Sequence, residues 1–146
     1  MDTLPDIRLL IDPPADGATN MARDEALMLA VGENRSSPTL RLYRWDPPTI
    51  SLGYFQPYAD YERLPEPEGN LPVVRRLTGG GAILHDRELT YSLTLPTGHP
   101  LLARGATSLY ELVHSAVTEA FRRVDIETAH CGLSDGSGAA RGPFFC

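Results

Sequence analysis

A chain of 146 residues with 42% hydrophobic and 22% charged content has enough material for one buried core and the composition of a globular domain. Its net charge of −6 argues against broad nucleic-acid binding, and no apolar run approaches the roughly 20 residues that span a bilayer. All 13 basic residues are arginine, which excludes a phosphate-loop lysine, a lysine Schiff base and a lysine adenylate clamp within these residues.

The first residues, MDTLPDIRLLIDPP, put acids and prolines where a signal peptide would be basic and then apolar, which predicts a cytoplasmic protein. Residues 7–11 predict a first strand, ended by Pro13 and Pro14. A helix follows over 20–33. Asp24 and Glu25 stand near its positive end, Met21, Leu27, Met28 and Val31 form its apolar side, and Gly32 ends it. TLRLYRW and TISLGYF predict two strands split by Asp46-Pro47-Pro48; in the first, Leu40 and Leu42 face opposite to Arg41, Tyr43 and Trp45. Residues 56–71 read as a proline-rich surface connection with room for one helical turn.

Strand patterns return at LPVVRRL, AILH and ELTYSLTL. In the last, Leu89, Tyr91, Leu93 and Leu95 alternate with Thr90, Ser92 and Thr94, the period of a half-buried strand with Tyr91 and Leu93 toward the core. SLYELVHSAVTEAFRRV predicts the clearest helix, with Ser108 and Glu111 as a capping box and apolar residues from Leu109 to Val124 at helical spacing. After the glycine- and serine-rich HCGLSDGSGAARG, the run GPFFC begins another strand-like segment, which predicts a fragment cut within a domain. The order of elements predicts an α+β fold with a mixed, largely antiparallel sheet flanked by helices.

RRLTGGGAILHDRELTYS is the segment densest in chemistry. Gly79, Gly80 and Gly81 could form a loose hairpin connection, but a tight hairpin needs one or two glycines and each further one adds backbone entropy lost on folding. Glycines also let successive N–H groups line one concavity, and flanking arginines suit a carboxylate or phosphate. An anion or acyl site is therefore the competing reading. Asp86 beside His85 does not make a dyad, since neighbouring strand residues point to opposite faces. Cys131 and Cys146 form no disulfide framework, and four scattered histidines show no metal-ligand spacing.

That segment resembles the signature of the lipoate–protein ligase and octanoyltransferase family, related to the biotin protein ligases. The signature runs Arg-Arg-x-Ser/Thr-Gly-Gly-Gly/Arg, a few apolar residues, His, and a later Tyr-Ser pair. NMARDEALMLA and LRLYRWDPPTISLGYFQ resemble the family's first helix and next two strands, so the likeness runs from about Asn20 to the chain end. It implies a biotin/lipoate protein ligase-like catalytic domain, of which residues 1–146 are the N-terminal part, with a continuation beyond Cys146. An acyl tunnel is expected beside the glycine loop. Carried over, Arg75, Gly79, Gly80, Gly81 and His85 become substrate-binding candidates, and Arg76 is either exposed or structural.

GPFFC resembles the segment bearing the nucleophilic cysteine in one transferase branch, which makes Cys146 the catalytic candidate; Cys131 has no motif around it. The implied activity of the full-length parent is transfer of an octanoyl or lipoyl group to a lysine of a lipoyl carrier domain, with an octanoyl carrier thioester as donor. The alternatives are an ATP-dependent lipoate–protein ligase acting through lipoyl-adenylate, with ATP and Mg, and a non-catalytic acyl or carrier-domain binding module. No covalently bound cofactor is expected. The implied partners are a 2-oxoacid dehydrogenase E2 lipoyl domain or the glycine cleavage H protein, an acyl carrier protein, and octanoate or lipoate, with no nucleic acid and no membrane. The family's catalytic lysine falls beyond Cys146, so the 146-residue chain alone is expected to be inactive.

Overall fold

The computed structural model of the chain describes residues 6–64 and 68–128. The described residues form two compact units, one ending at Pro96 and the other beginning at Thr97. In the first, the elements follow as β1 (Arg8–Ile11), α1 (Gly17–Gly32), β2 (Thr39–Tyr43), β3 (Thr49–Leu52), α2 (Tyr58–Glu62), β4 (Val73–Arg75), β5 (Ile83–His85) and β6 (Thr90–Thr94). They build two three-stranded sheets, β1-β2-β6 and β4-β3-β5. Each sheet is mixed: β1–β2 and β3–β4 are parallel, β2–β6 and β3–β5 antiparallel. The parallel pairs are those whose connection contains a helix, α1 or α2, because a parallel return needs a crossover that a hairpin cannot supply. This is the helix-flanked α+β arrangement that the order of elements implies.

Asp16 starts α1. Its carboxylate accepts from the Thr19 N–H at 2.8 Å and from Thr19 Oγ1 at 3.0 Å, a cap worth about 1 kcal/mol. Gly32 stays helical, and the left-handed residue beyond it is Asn34, at φ 57°. Gly17, Asn20 and Val31 are buried and Asp24 and Leu27 half-buried, a single line at helical spacing. Met28, expected on that face, falls off the line and is 45% exposed. A Cβ on Gly17 would lie 2.8 Å from the side chains of Thr49 and Val74, so the start of the helix rests directly on β3 and β4.

In β2 the expected alternation holds, and its buried side is the polar one: Thr39, Arg41 and Tyr43 are buried, Leu40 and Leu42 half-buried. The Arg41 guanidinium bonds to Asp12, Asp24 and Asn20 Oδ1, each at 2.8 Å, and lies 4.0 Å over the Tyr43 ring. Asp24 also accepts from the Tyr43 hydroxyl at 2.9 Å and from Ser92 at 2.7 Å. Asp24 therefore balances a buried cation rather than serving the helix start. Burial, reinforced by Asp24, pushes the Tyr43 phenol far above its ordinary pKa. The register pairs Leu42 with Tyr91 and Leu40 with Leu93, so β6 turns Ser92 toward α1 and Tyr91 away from it. Tyr91 and Leu89 are exposed as a result, and Tyr91 is not in the core expected for it.

The apolar core lies against the second sheet. All four residues of β3 are buried, and Ile50, Leu52, Tyr61 and Ala82 cluster with Leu64, Leu71 and Val73. Burial of Ile50 and Leu52 stabilises the unit by about 1.5–3 kcal/mol each. In the second unit, α3 (Gly105–Arg122) starts ahead of Ser108, and its N-cap Arg104 makes no side-chain cap bond. Ser108 and Glu111 thus lie inside the helix, and the expected capping box is not used. No helix among the described residues is long and apolar enough to cross a membrane.

Candidate functional site

Strands β4 and β5 do not pair with each other; both flank β3. The glycine run between them is therefore not a hairpin turn, because a hairpin would join neighbouring strands. It carries the chain across the end of β3, where Gly53 follows the last strand residue. A Cβ on Gly53 would lie 1.9 Å from Gly80 O and 2.9 Å from Gly80 C. Gly80 itself has φ 91°, a conformation that disfavours any side chain. The crossing is held by Arg76 N–H to Leu52 O at 3.0 Å and by Tyr54 N–H to Thr78 O at 2.9 Å.

The two arginines have different partners. One guanidinium nitrogen of Arg75, Nη1, lies 2.7–3.0 Å from the carbonyls of Gly53, Tyr54 and Gln56 and closes the turn after β3. Its Nε and Nη2 make no bond among the described residues. Arg76, expected to be exposed or structural, is structural. Its Nη1 reaches Ser51 O at 2.9 Å and Ser51 Oγ at 3.0 Å, and its Nη2 reaches Gly79 O at 2.9 Å and Gly81 O at 2.7 Å. Arg76 thus gathers two loop carbonyls against β3. Among the described residues no hydrogen bond engages the N–H of Gly79, Gly80 or Gly81.

His85 closes β5 and is 4% exposed. Its Nε2 is 2.7 Å from Ser51 Oγ and its Nδ1 is 2.5 Å from Glu88 Oε1. The ring stacks on Trp45, with centroids 3.9 Å apart and planes 9° from parallel. Burial pulls the His85 pKa below its ordinary value, and Glu88 opposes that pull. Asp86 lies just past the end of β5, is exposed and takes no part.

Of the residues expected from sequence, His85 and the glycine loop come together through Ser51 and Arg76, while Arg75 bonds to Gly53 O and holds the turn after β3. Cys146 and Cys131 lie outside the described residues. Sequence reasoning missed Ser51, Gly53 and Glu88. The one local signal was the three-residue spacing of His85 and Glu88 across a turn. A separate groove of about 400 Å3 lies between β1 and α1, lined by Arg8, Leu10, Asp12, Arg23, Leu27 and Arg41 among others, and contains none of the loop residues. No cluster of three metal-ligating side chains occurs among the described residues.

The family model of the lipoyl protein ligase A/B catalytic domain matches residues 16–136. The chain is 46% identical to octanoyltransferase LipM of Moorella thermoacetica over 120 residues, 80% of this chain and 43% of that protein. It is 40% identical to octanoyltransferase LipM of Kyrpidia tusciae over 137 residues, 92% of this chain and 49% of that protein. Among solved structures, protein Ta0514 from T. acidophilum with bound lipoic acid matches with a TM-score of 0.67 at 28% identity, covering 90% of this chain and 54% of that one. Lipoate-protein ligase A bound with ATP matches with a TM-score of 0.61 at 26% identity, covering 91% and 52%. The chain spans about half the length of the proteins it matches.

Proposed function

Because this chain belongs to the lipoyl protein ligase A/B catalytic domain family, we propose that it is the N-terminal part of the catalytic domain of an octanoyltransferase of protein lipoylation. The reading is carried by the grade of likeness: 36–46% identity to octanoyltransferases over most of the chain, against 26–28% to solved lipoate ligases. The substrates are an octanoyl carrier thioester and the lysine of a lipoyl domain, of an E2 or of the H protein, and the reaction is assigned to the cytoplasm.

In this mechanism the Cys146 thiolate attacks the thioester carbonyl. The tetrahedral oxyanion collapses, expels the carrier's thiolate and leaves octanoyl as a thioester on Cys146. The lipoyl-domain lysine amine then attacks that carbonyl, gives up a proton to a base, forms the amide and releases the Cys146 thiolate. One thioester replaces another in the first step, so no ATP is consumed. The uncommitted N–H groups of Gly79, Gly80 and Gly81 are the oxyanion donors, a role whose loss costs about a hundred- to a thousandfold in rate. The uncommitted edge of Arg75 faces the polar head, and buried His85 belongs to the wall of the site.

The test is to incubate the complete protein with octanoyl carrier thioester, without ATP, and seek an octanoyl adduct by mass spectrometry. The adduct is expected to vanish in Cys146→Ala and to persist in Cys131→Ala. A second reading, the ligase, is favoured by the likeness to lipoate-protein ligase A solved with ATP. It replaces the first if no adduct forms and carrier modification requires ATP, Mg and free octanoate or lipoate. Absence of both reactions leaves a binding module.

A further inference from the structure

With a neutral His85 ring and an ionised Glu88, the hydrogen bonds around His85 have one consistent set of directions. Trp45 Nε1–H can only donate, and it reaches Thr90 Oγ1 at 2.8 Å. Thr90 Oγ1 then donates to Glu88 Oε1 at 2.6 Å. The Glu88 carboxylate only accepts, so His85 Nδ1 must carry a proton and donate to it. In the neutral ring Nε2 is then an acceptor, and the Ser51 hydroxyl must donate to it. With its proton so placed, Ser51 Oγ accepts from Arg76, a pure donor whose other nitrogen holds Gly79 O and Gly81 O. Two donor streams converge on one carboxylate, and the longer of them starts at Arg76, which also holds the glycine loop.

Ser51 is fully buried, so this serine, histidine and glutamate set cannot offer a nucleophile to a substrate. We propose that Glu88, His85 and Ser51 form a relay of positioning residues that orients Arg76 and, through it, aims the Gly79–Gly81 loop at the reacting carbonyl. The inference rests on the reading of that loop as the acyl-head site. The relay works only with a neutral ring. A protonated His85 would present Nε2–H to Ser51 Oγ, depriving the Ser51 hydroxyl of its acceptor, and would set a second cation beside the Arg76 guanidinium. The charged groups facing the ring are Glu88, from the turn before β6, and Arg76, from the segment after β4; the Trp45 ring stacked on it is uncharged.

The experiment compares the complete protein with Glu88→Gln and Ser51→Ala by octanoyl transfer between about pH 5 and 8, and by nitrogen-15 spectra of the His85 ring. Loss of either link is expected to lower kcat about ten- to a hundredfold with little change in KM. The acid limb of the kcat profile is expected to move in opposite directions. Glu88→Gln removes the carboxylate that favours the protonated ring and shifts the limb down. Ser51→Ala removes the hydrogen bond that favours the neutral ring and shifts it up. A merely structural role lowers the rate and leaves the limb in place, and that outcome overturns the relay. If one variant does not fold, the other still gives a signed shift. If the unaltered protein transfers no octanoyl group, the acyl-transfer reading fails and the ring spectra decide the relay. A Nδ1–H tautomer upholds the hydrogen-bond chain; a Nε2–H tautomer refutes it.

Discussion

Replacing Gly53 with alanine tests the architecture of the loop most directly. The added methyl would sit 1.9 Å from Gly80 O, whereas ordinary contact begins at 3.4 Å, so the loop must retreat by about 1.5 Å. The clashing atom is backbone, and Arg76 and the Tyr54 N–H hold the same loop in place, so no side-chain rotation relieves it. Overpacking of this kind costs about 1–3 kcal/mol of stability. A donor loop displaced by more than about 1 Å loses on the order of a hundredfold in rate. The assay pairs thermal unfolding with kcat/KM for octanoyl transfer in the complete protein. Gly79→Ala serves as the contrast. Its methyl meets no atom within 4 Å, so stability should change by less than about 0.5 kcal/mol, while KM for the acyl donor rises if the substrate lies against that residue. A Gly53→Ala protein with parental stability and parental kcat/KM would refute the close crossing.

Arg41→Ala removes the cation between Asp12 and Asp24 beneath α1 and should cost about 3–5 kcal/mol in urea unfolding. Gly32→Ala, at a helical position where a Cβ meets nothing within 4 Å, should stabilise by about 0.5–1 kcal/mol, read as a raised unfolding midpoint. Because burial lowers the His85 pKa, the unfolded chain binds the proton more readily. The contribution of neutral His85 to stability is therefore complete above the unfolded value near about 6.5 and is lost as pH falls through the folded one. His85→Gln should flatten the stability profile across that window, and an unchanged slope would contradict the assignment.

The positions of the strands and helices were legible from β-rich runs and from helical spacing, as in β3 and α3, although no residue of α3 is buried and β3 is buried throughout. Their inward faces were missed where polar residues are the buried ones. The alternation in β2 and β6 is real, but periodicity shows only that two faces differ; in β2 it left the inward face open, and in β6 Tyr91 and Leu93 were assigned inward by default. Here Arg41, Tyr43 and Ser92 face α1 because Asp24 and Asn20 on that helix supply their partners. No single segment contains that information. Asp24 reads as a helix-start charge until Arg41 is seen opposite it. The true N-cap, Asp16, was hidden by the prolines before it and by a helix start placed too late, at Asn20.

The glycine loop could be located from sequence, but its supports could not. Ser51 lies 34 residues from His85 in a strand buried on both faces, where no pattern separates one residue from the next. Only the order β4-β3-β5 brings β5 and the segment after β4 to opposite sides of that serine. Glu88 is the one member with a local trace, three residues past a strand-ending histidine and two before Thr90, which also donates to it. This dependence predicts a pattern among related chains. A hydroxyl at position 51 is useful only while His85 is held as an acceptor at Nε2, and the carboxylate at position 88 is what holds it so. Chains that keep the histidine but lack the carboxylate should therefore lose the hydroxyl as well, leaving an apolar residue in β3. A collection in which the hydroxyl and the carboxylate vary independently would show that the serine serves only Arg76 and that the relay is not a unit.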